Sequence, residues 1–102
     1  MVDKNQVAEA PHTPGVYFFR NPAGKIIYIG KAQNLRMRLL SYFRRDELDA
    51  RKRAMLKEAV NISWRELSSD IEALIQEAAL IKKHRPKYNV SMRDDKQYFY
   101  IA

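Results

Sequence analysis

The sequence predicts an α/β domain of the α+β type, in which an N-terminal β-hairpin is followed by helices and one further strand. Three patterns point that way. Gly15-Val16-Tyr17-Phe18-Phe19-Arg20 and Lys25-Ile26-Ile27-Tyr28-Ile29 are β-rich runs on either side of the turn-forming Asn21-Pro22-Ala23-Gly24. Residues Asn61 to Leu67 alternate, with Ile62, Trp64 and Glu66 on one face. From Ile71 onwards, apolar residues recur at helical spacing. A chain of 102 residues supports one compact domain and is too short for two, so a single site is expected. The expected unit is 1–102, with its ordered core at about 13–101.

If Arg20 faces Lys25 across the four-residue loop, the hairpin register puts Tyr17 directly opposite Tyr28 on one face, and a bulge would shift it by one. Asn34 then suits the N-cap of a helix from Leu35 to about Phe43, whose apolar stripe is Leu35, Leu39 and Phe43. Arg38 and Tyr42 stand four residues apart on that helix. A second helix, from about Leu48 to Ala59, is anchored by Leu48, Met55, Leu56 and Ala59 between basic residues. Ser69-Asp70-Ile71-Glu72 reads as a capping box opening a helix from Asp70 to His84, with an apolar stripe of Ile71, Leu74, Ile75, Ala78 and Ile81. Lys82, Lys83, His84 and Arg85 complement its negative end, and Pro86 stops it. Lys87 to Asp95 reads as loop and 97–102 as the start of an extended segment. Such an ending suggests a domain excerpted from a longer protein.

Composition narrows the chemistry. With no cysteine, neither disulfides nor thiolate metal sites can form, and His12 and His84 are far apart in sequence, so any metal is a hard, oxygen-liganded one. The first eleven residues lack the apolar region of a secretory signal, and no apolar run is long enough for a membrane span. A cytoplasmic domain that does not enter the membrane is expected. The net charge of +7 points to a phosphate-bearing partner.

Glu77 draws attention because Ala73, Leu74, Leu80 and Ile81, its neighbours one turn away, are all apolar. A carboxylate there needs a cation, a proton or access to water, and one such group suits a single-metal site completed by waters and substrate phosphate. The phenols of Tyr17 and Tyr28 could orient a water or accept its proton if Lys31, Arg38 or a metal lowers their pKa, although facing tyrosines also commonly serve packing alone. Arg38 offers a fork of donors to a phosphate, and Tyr42 could hydrogen-bond the same group. Around them Lys31, Arg36, Arg38, Arg44, Arg45, Arg51, Lys52 and Arg53 form a basic stretch suited to tracking a DNA backbone.

The elements Gly15-Val16-Tyr17 and Tyr28-Ile29-Gly30 resemble the signature pair of the GIY-YIG nucleases. Gly30-Lys31-Ala32, Asn34-Leu35, Arg38-Leu39, Ser41-Tyr42-Phe43, the run from Glu77 to Lys82, the run from Arg85 to Val90 and Arg93-Asp94-Asp95-Lys96 are similar to the N-terminal domain of the bacterial excinuclease component UvrC. The resemblance implies a small three-stranded antiparallel sheet flanked by helices, and a one-metal endonuclease using Mg²⁺ or Mn²⁺. It further implies the 3′ cut of nucleotide excision repair on damaged duplex DNA, with UvrA- and UvrB-type partners and a monomeric domain. By motif, Glu77 would hold the metal, while Tyr17 and Tyr28, assisted by Lys31, would position or deprotonate the attacking water. Arg38 would stabilise charge on the scissile phosphate, Tyr42 would orient it, and Asn89 would brace the site. Whether a tyrosine or a hydroxide on the metal takes the water's proton stays open, with Tyr28 preferred. Three other readings are a non-catalytic nucleic-acid-binding module, a stand-alone UvrC-like nuclease outside excision repair, and a protein-docking domain using Phe43, Trp64 and the C-terminal aromatics.

Overall fold

The computed structural model describes residues 2–44, 46 and 48–92, without the side chains of 90–92. Two strands, β1 (Gly15–Arg20) and β2 (Ile26–Ala32), lead into α1 (Leu35–Ser41) and α2 (Ala50–Glu58). They are followed by β3 (Asn61–Glu66), α3 (Asp70–His84) and α4 (Lys87–Met92). The antiparallel sheet has the order β2-β1-β3, so the first strand is central and β2 is an edge.

The hairpin register differs from the simple count. Arg20 pairs with Ile26, the pairing then shifts, and Phe19 pairs with Tyr28 and Tyr17 with Gly30. Two one-residue offsets are responsible. Asn21 N donates to Lys25 O, which lengthens the loop by one residue, and Ile27 is the extra residue of a bulge in β2. Each offset alone would turn Tyr28 to the other face; together they restore the parity. Tyr17 and Tyr28 therefore share a face as diagonal neighbours, with ring centroids 6.4 Å apart, and Phe19 takes the directly opposed place.

The two sheet faces carry separate cores. Tyr17, Phe19, Tyr28 and Ile62 pack with Leu35, Leu39, Tyr42, Met55 and Leu56 from α1 and α2. Val16, Phe18 and Ile29 on the reverse face receive Ala73 of α3, with Leu80 and Ile81 beside it. The first core also takes in Val2, Val7 and Ala10, so packed structure begins well before residue 13. A 3-10 turn at Lys4–Val7 presents these residues, held by an Asp3/Gln6 capping box and by Gln6 Nε2 donating to Val60 O.

The helix caps follow the sequence closely, with Asn34 Oδ1 accepting from Met37 N and Ser69 Oγ from Glu72 N. The reciprocal half of the box at Ser69 is displaced, because the Glu72 carboxylate accepts from the backbone N and hydroxyl of Ser68 instead. Helix α3 has the expected bounds and a different inner face. Ile71, Leu74 and Ile75 are 70%, 51% and 62% exposed, and Ala78 is exposed too, while Ala73 is the residue buried against the sheet. A small side chain lets the helix axis approach the sheet, and that close packing outweighs the stripe of larger residues. Residues 87–92, expected as loop, form α4, which follows the left-handed cap residue Arg85 (φ 45°). The extended segment anticipated at 97–102 lies outside the described residues.

Candidate active site

Three phenols from three elements converge. Tyr17 comes from the central strand, Tyr28 from the edge strand, and Tyr42 from the turn that ends α1, where it is the C-cap residue. All three are buried. The Tyr17 and Tyr42 hydroxyls share a hydrogen bond of 2.7 Å, and the Tyr42 hydroxyl also interacts with that of Tyr28, so Tyr42 links the pair. Phe19 closes the cluster edge-on, with centroids 6.0 Å from Tyr17 and 5.1 Å from Tyr42.

Gly30 makes room for this arrangement. A Cβ on Gly30 would lie 2.3 Å from both Cζ and the hydroxyl oxygen of Tyr17, so the phenol occupies the space a side chain would need. Tyr17 pairs with Gly30 across the strands and reaches over it towards the sheet edge. The glycine that ends the second signature element is thus a recess for the tyrosine that ends the first.

Two charged groups act electrostatically on the same phenols. Burial raises the pKa of Tyr17 most strongly, followed by the neighbouring Tyr28; the hydrogen bond from Tyr42 and the Arg38 charge oppose this, and the Glu77 carboxylate adds to it. Tyr28 is raised by burial and by Glu77 and Asp49, against Tyr42 and Arg38. Tyr42 is raised well above its ordinary value, again chiefly by burial. Arg38 and Glu77, 39 positions apart in the chain, therefore both act on the tyrosine pair. Glu77 is half-buried on the sheet-facing side of α3, in line with Ala73 and Ile81. Of the four apolar neighbours expected around it, Ala73, Leu80 and Ile81 do pack inward, whereas Leu74 is exposed.

Asn89 is buried and pairs with the backbone of Ile29, its Oδ1 accepting from Ile29 N at 2.8 Å and its Nδ2 donating to Ile29 O at 2.9 Å. A side-chain amide thereby does for edge strand β2 what another strand would, and fixes the peptide between Tyr28 and Gly30. Helix α4, which carries Asn89, is tied to α2 through Glu58, whose Oε1 accepts from Tyr88 at 2.7 Å and from Lys87 at 3.1 Å.

The remaining basic residues divide. Lys31 and Arg38 line an open groove of about 520 Å³ together with Gln33, Met37 and Ser41, the residue before Tyr42. Lys52 lies over the Tyr42 ring, 5.9 Å from its centroid. Arg44 and Arg51 are exposed. Arg36 donates its Nε to Ala10 O at 2.6 Å and Arg53 its guanidinium to Leu48 O, so both hold the fold locally. Arg45 lies outside the described residues. Sequence reasoning passed over Asp49, which bears on Tyr28 and caps α2 by accepting from Lys52 N; an aspartate just before a helical run was the available signal.

The donor set suits a hard divalent cation. It combines one half-buried carboxylate with phenol oxygens, and among the described residues no three His, Cys, Asp or Glu side chains are grouped to form an all-protein cage. A cation that keeps most of its waters, as Mg²⁺ does, asks for no more than that.

The sequence model of the UvrC-like GIY-YIG domain matches residues 13–90. Among curated proteins, the chain is 49% identical over 98 residues to UvrABC system protein C of Oleidesulfovibrio alaskensis, covering 95% of this chain and 14% of that protein. It is 50% identical over 95 residues to the same protein of Dictyoglomus thermophilum, covering 93% of this chain and 16% of the relative. The chain thus spans about a seventh of the length of such relatives. The magnesium-bound GIY-YIG N-terminal endonuclease domain of UvrC from Thermotoga maritima superposes with a TM-score of 0.78 at 42% identity, covering 87% of this chain and 99% of that one. That Thermotoga domain is also known with single asparagine or tyrosine substitutions, each bound to its catalytic divalent cation. With the family's sequence model matched over more than half its length, the chain belongs to the UvrC-like GIY-YIG domains.

Proposed function

We propose that this domain is a magnesium-dependent DNA endonuclease that hydrolyses one phosphodiester bond, the 3′ incision of nucleotide excision repair, with UvrA- and UvrB-type proteins presenting damaged duplex. The observation that carries the reading is the convergence of three buried tyrosine hydroxyls with the charges of Arg38 and Glu77.

Glu77 and waters would hold the cation, which when bound supplies Lewis-acid stabilisation of charge on the phosphate. The protein's own groups do the rest. Arg38 directs a planar, permanently charged fork towards a non-bridging phosphate oxygen. Lys31, exposed on β2 in the same groove, adds a second positive charge on the approach path. Burial keeps the phenols protonated in the free protein, so they act first as neutral donors and acceptors that orient water and phosphate. Tyr28, at 8% the least enclosed of the three, is the one best placed to exchange a proton with substrate water. Asn89 holds the Ile29 peptide and so fixes where Tyr28 and Gly30 stand. Positioning and charge stabilisation of this kind each supply several kcal/mol of barrier reduction.

Nicking of damaged plasmid presented with UvrA- and UvrB-type proteins and Mg²⁺, with and without EDTA, tests the reading, together with Glu77→Gln. EDTA and the substitution should each abolish nicking while DNA binding at low salt stays nearly unchanged. Substantial Mg²⁺-dependent nicking by Glu77→Gln would contradict the assignment of the metal ligand.

A further inference from the structure

The groove lined by Lys31 and Arg38 contains a residue that phosphate binding does not explain. Met37, on the first turn of α1, is 54% exposed and lines the groove together with Lys31, Gln33, Arg38 and Ser41. Its neighbours Leu35 and Leu39 supply the helix's buried contacts, so Met37 is not needed for the core. Its place is nonetheless fixed: its backbone N–H is held by Asn34 Oδ1, and Ser41 Oγ donates to Arg38 O at the other end of the same short helix. A groove dedicated to phosphate is served by cations and hydrogen-bond donors. This one adds a large, polarizable thioether to two cations in the same lining.

We propose that the groove is a nucleotide subsite in which Met37 presses against the base of the nucleotide next to the cut phosphate, while Lys31 and Arg38 take that phosphate. The inference rests on the nuclease reading above and adds to it where the substrate strand lies. A nucleotide joins an anionic phosphate to a flat, apolar base with polar edges, and the groove offers the complementary set within about 520 Å³. Lys31 and Arg38 meet the charge, Met37 meets the base face, and the Gln33 amide can meet a base edge. Apolar side chains, Met and Leu among them, are used as wedges against base steps, which loosens their stacking. The contact carries no charge, so it sets the position of the strand without adding to the salt dependence of binding.

The test uses the 102-residue chain and a duplex carrying 2-aminopurine on either side of the cut position. Wild-type protein at low salt should raise 2-aminopurine fluorescence at one of the two flanking positions, because that base loses stacking. Met37→Ala and Met37→Gln should abolish the rise and weaken binding about fivefold, as expected for losing roughly half of one buried apolar side chain. Met37→Leu should retain both, and the slope of affinity against salt should be the same in all four proteins. Fluorescence and affinity unchanged in Met37→Ala would show that the groove takes phosphate alone and would overturn the subsite, leaving the nuclease reading intact. A wild-type chain that neither binds the duplex nor cuts damaged duplex presented by UvrA- and UvrB-type proteins would overturn both.

Discussion

Replacing Gly30 by alanine adds one methyl group and should disable the site from beneath. The new Cβ would stand 2.3 Å from Cζ and the hydroxyl oxygen of Tyr17, about 1 Å inside ordinary contact distance. Tyr17 has little room to yield, being enclosed by Phe19, Tyr28 and Tyr42 and hydrogen-bonded to Tyr42 at 2.7 Å. Overpacking of this kind costs about 1–3 kcal/mol, and loss of a buried hydrogen bond adds about 1 kcal/mol, so a destabilisation of about 2–4 kcal/mol is expected. Moving a phenol by about 1 Å should lower cleavage of Mg²⁺-supplied DNA by about 100-fold beyond any loss of folded protein. Urea unfolding gives the first number, and single-turnover nicking under conditions where the variant is folded gives the second. Gly24→Asn is the control: Gly24 has φ 83° with open space around it, and asparagine tolerates that conformation, so both quantities should stay close to wild type. If Gly30→Ala were as stable and as active as Gly24→Asn, the recess would have no part in building the site.

Other consequences follow from burial and pairing. The folded-state pKa values of Tyr17, Tyr28 and Tyr42 all lie above the ordinary 10.0, so these groups leave stability unchanged below about pH 10 and reduce it as pH rises beyond that, when the unfolded chain ionises first. Ultraviolet titration should therefore show three of the six tyrosines ionising only with alkaline unfolding, and all six titrating near pH 10 in folded protein would refute this. Asn89→Ala leaves both backbone groups of Ile29 without their side-chain partner and should cost about 2–4 kcal/mol in urea unfolding; a cost under about 0.5 kcal/mol would contradict the brace. Ile71→Ser and Ile75→Ser should each change stability by less than about 0.5 kcal/mol, whereas Ala73→Leu should cost about 1–3 kcal/mol, and the reverse ranking would mean that α3 packs by its other face.

Much of the fold is legible in the sequence because its signals are local. Asn34 and Ser69 mark helix starts through backbone donors that lie within three residues, and Pro86 marks where α3 must have ended. The shared face of Tyr17 and Tyr28 is legible too, though by a register that the lengthened loop and the bulge both alter. What escapes depends on contacts distant in sequence. The inner face of α3 is set by how closely Ala73 approaches Val16, Phe18 and Ile29, and hydrophobic periodicity gives a small residue little weight. Six-residue α4 is too short to show periodicity; its Tyr88 is tied to Glu58, and its Asn89 binds a strand edge 60 positions earlier. The candidate site can be reached residue by residue through the signature pair, Arg38 and Glu77, but the reason for Gly30 emerges only once the Tyr17 ring lies over it.

Anomalous diffraction from crystals of this chain grown with Mn²⁺ bears most directly on the central claim. The account predicts one ion about 2.1 Å from a Glu77 carboxylate oxygen, with its remaining ligands mostly waters and the tyrosine hydroxyls nearby. An ion bound elsewhere, with the Glu77 side chain turned away from Tyr17, Tyr28 and Arg38, would contradict it.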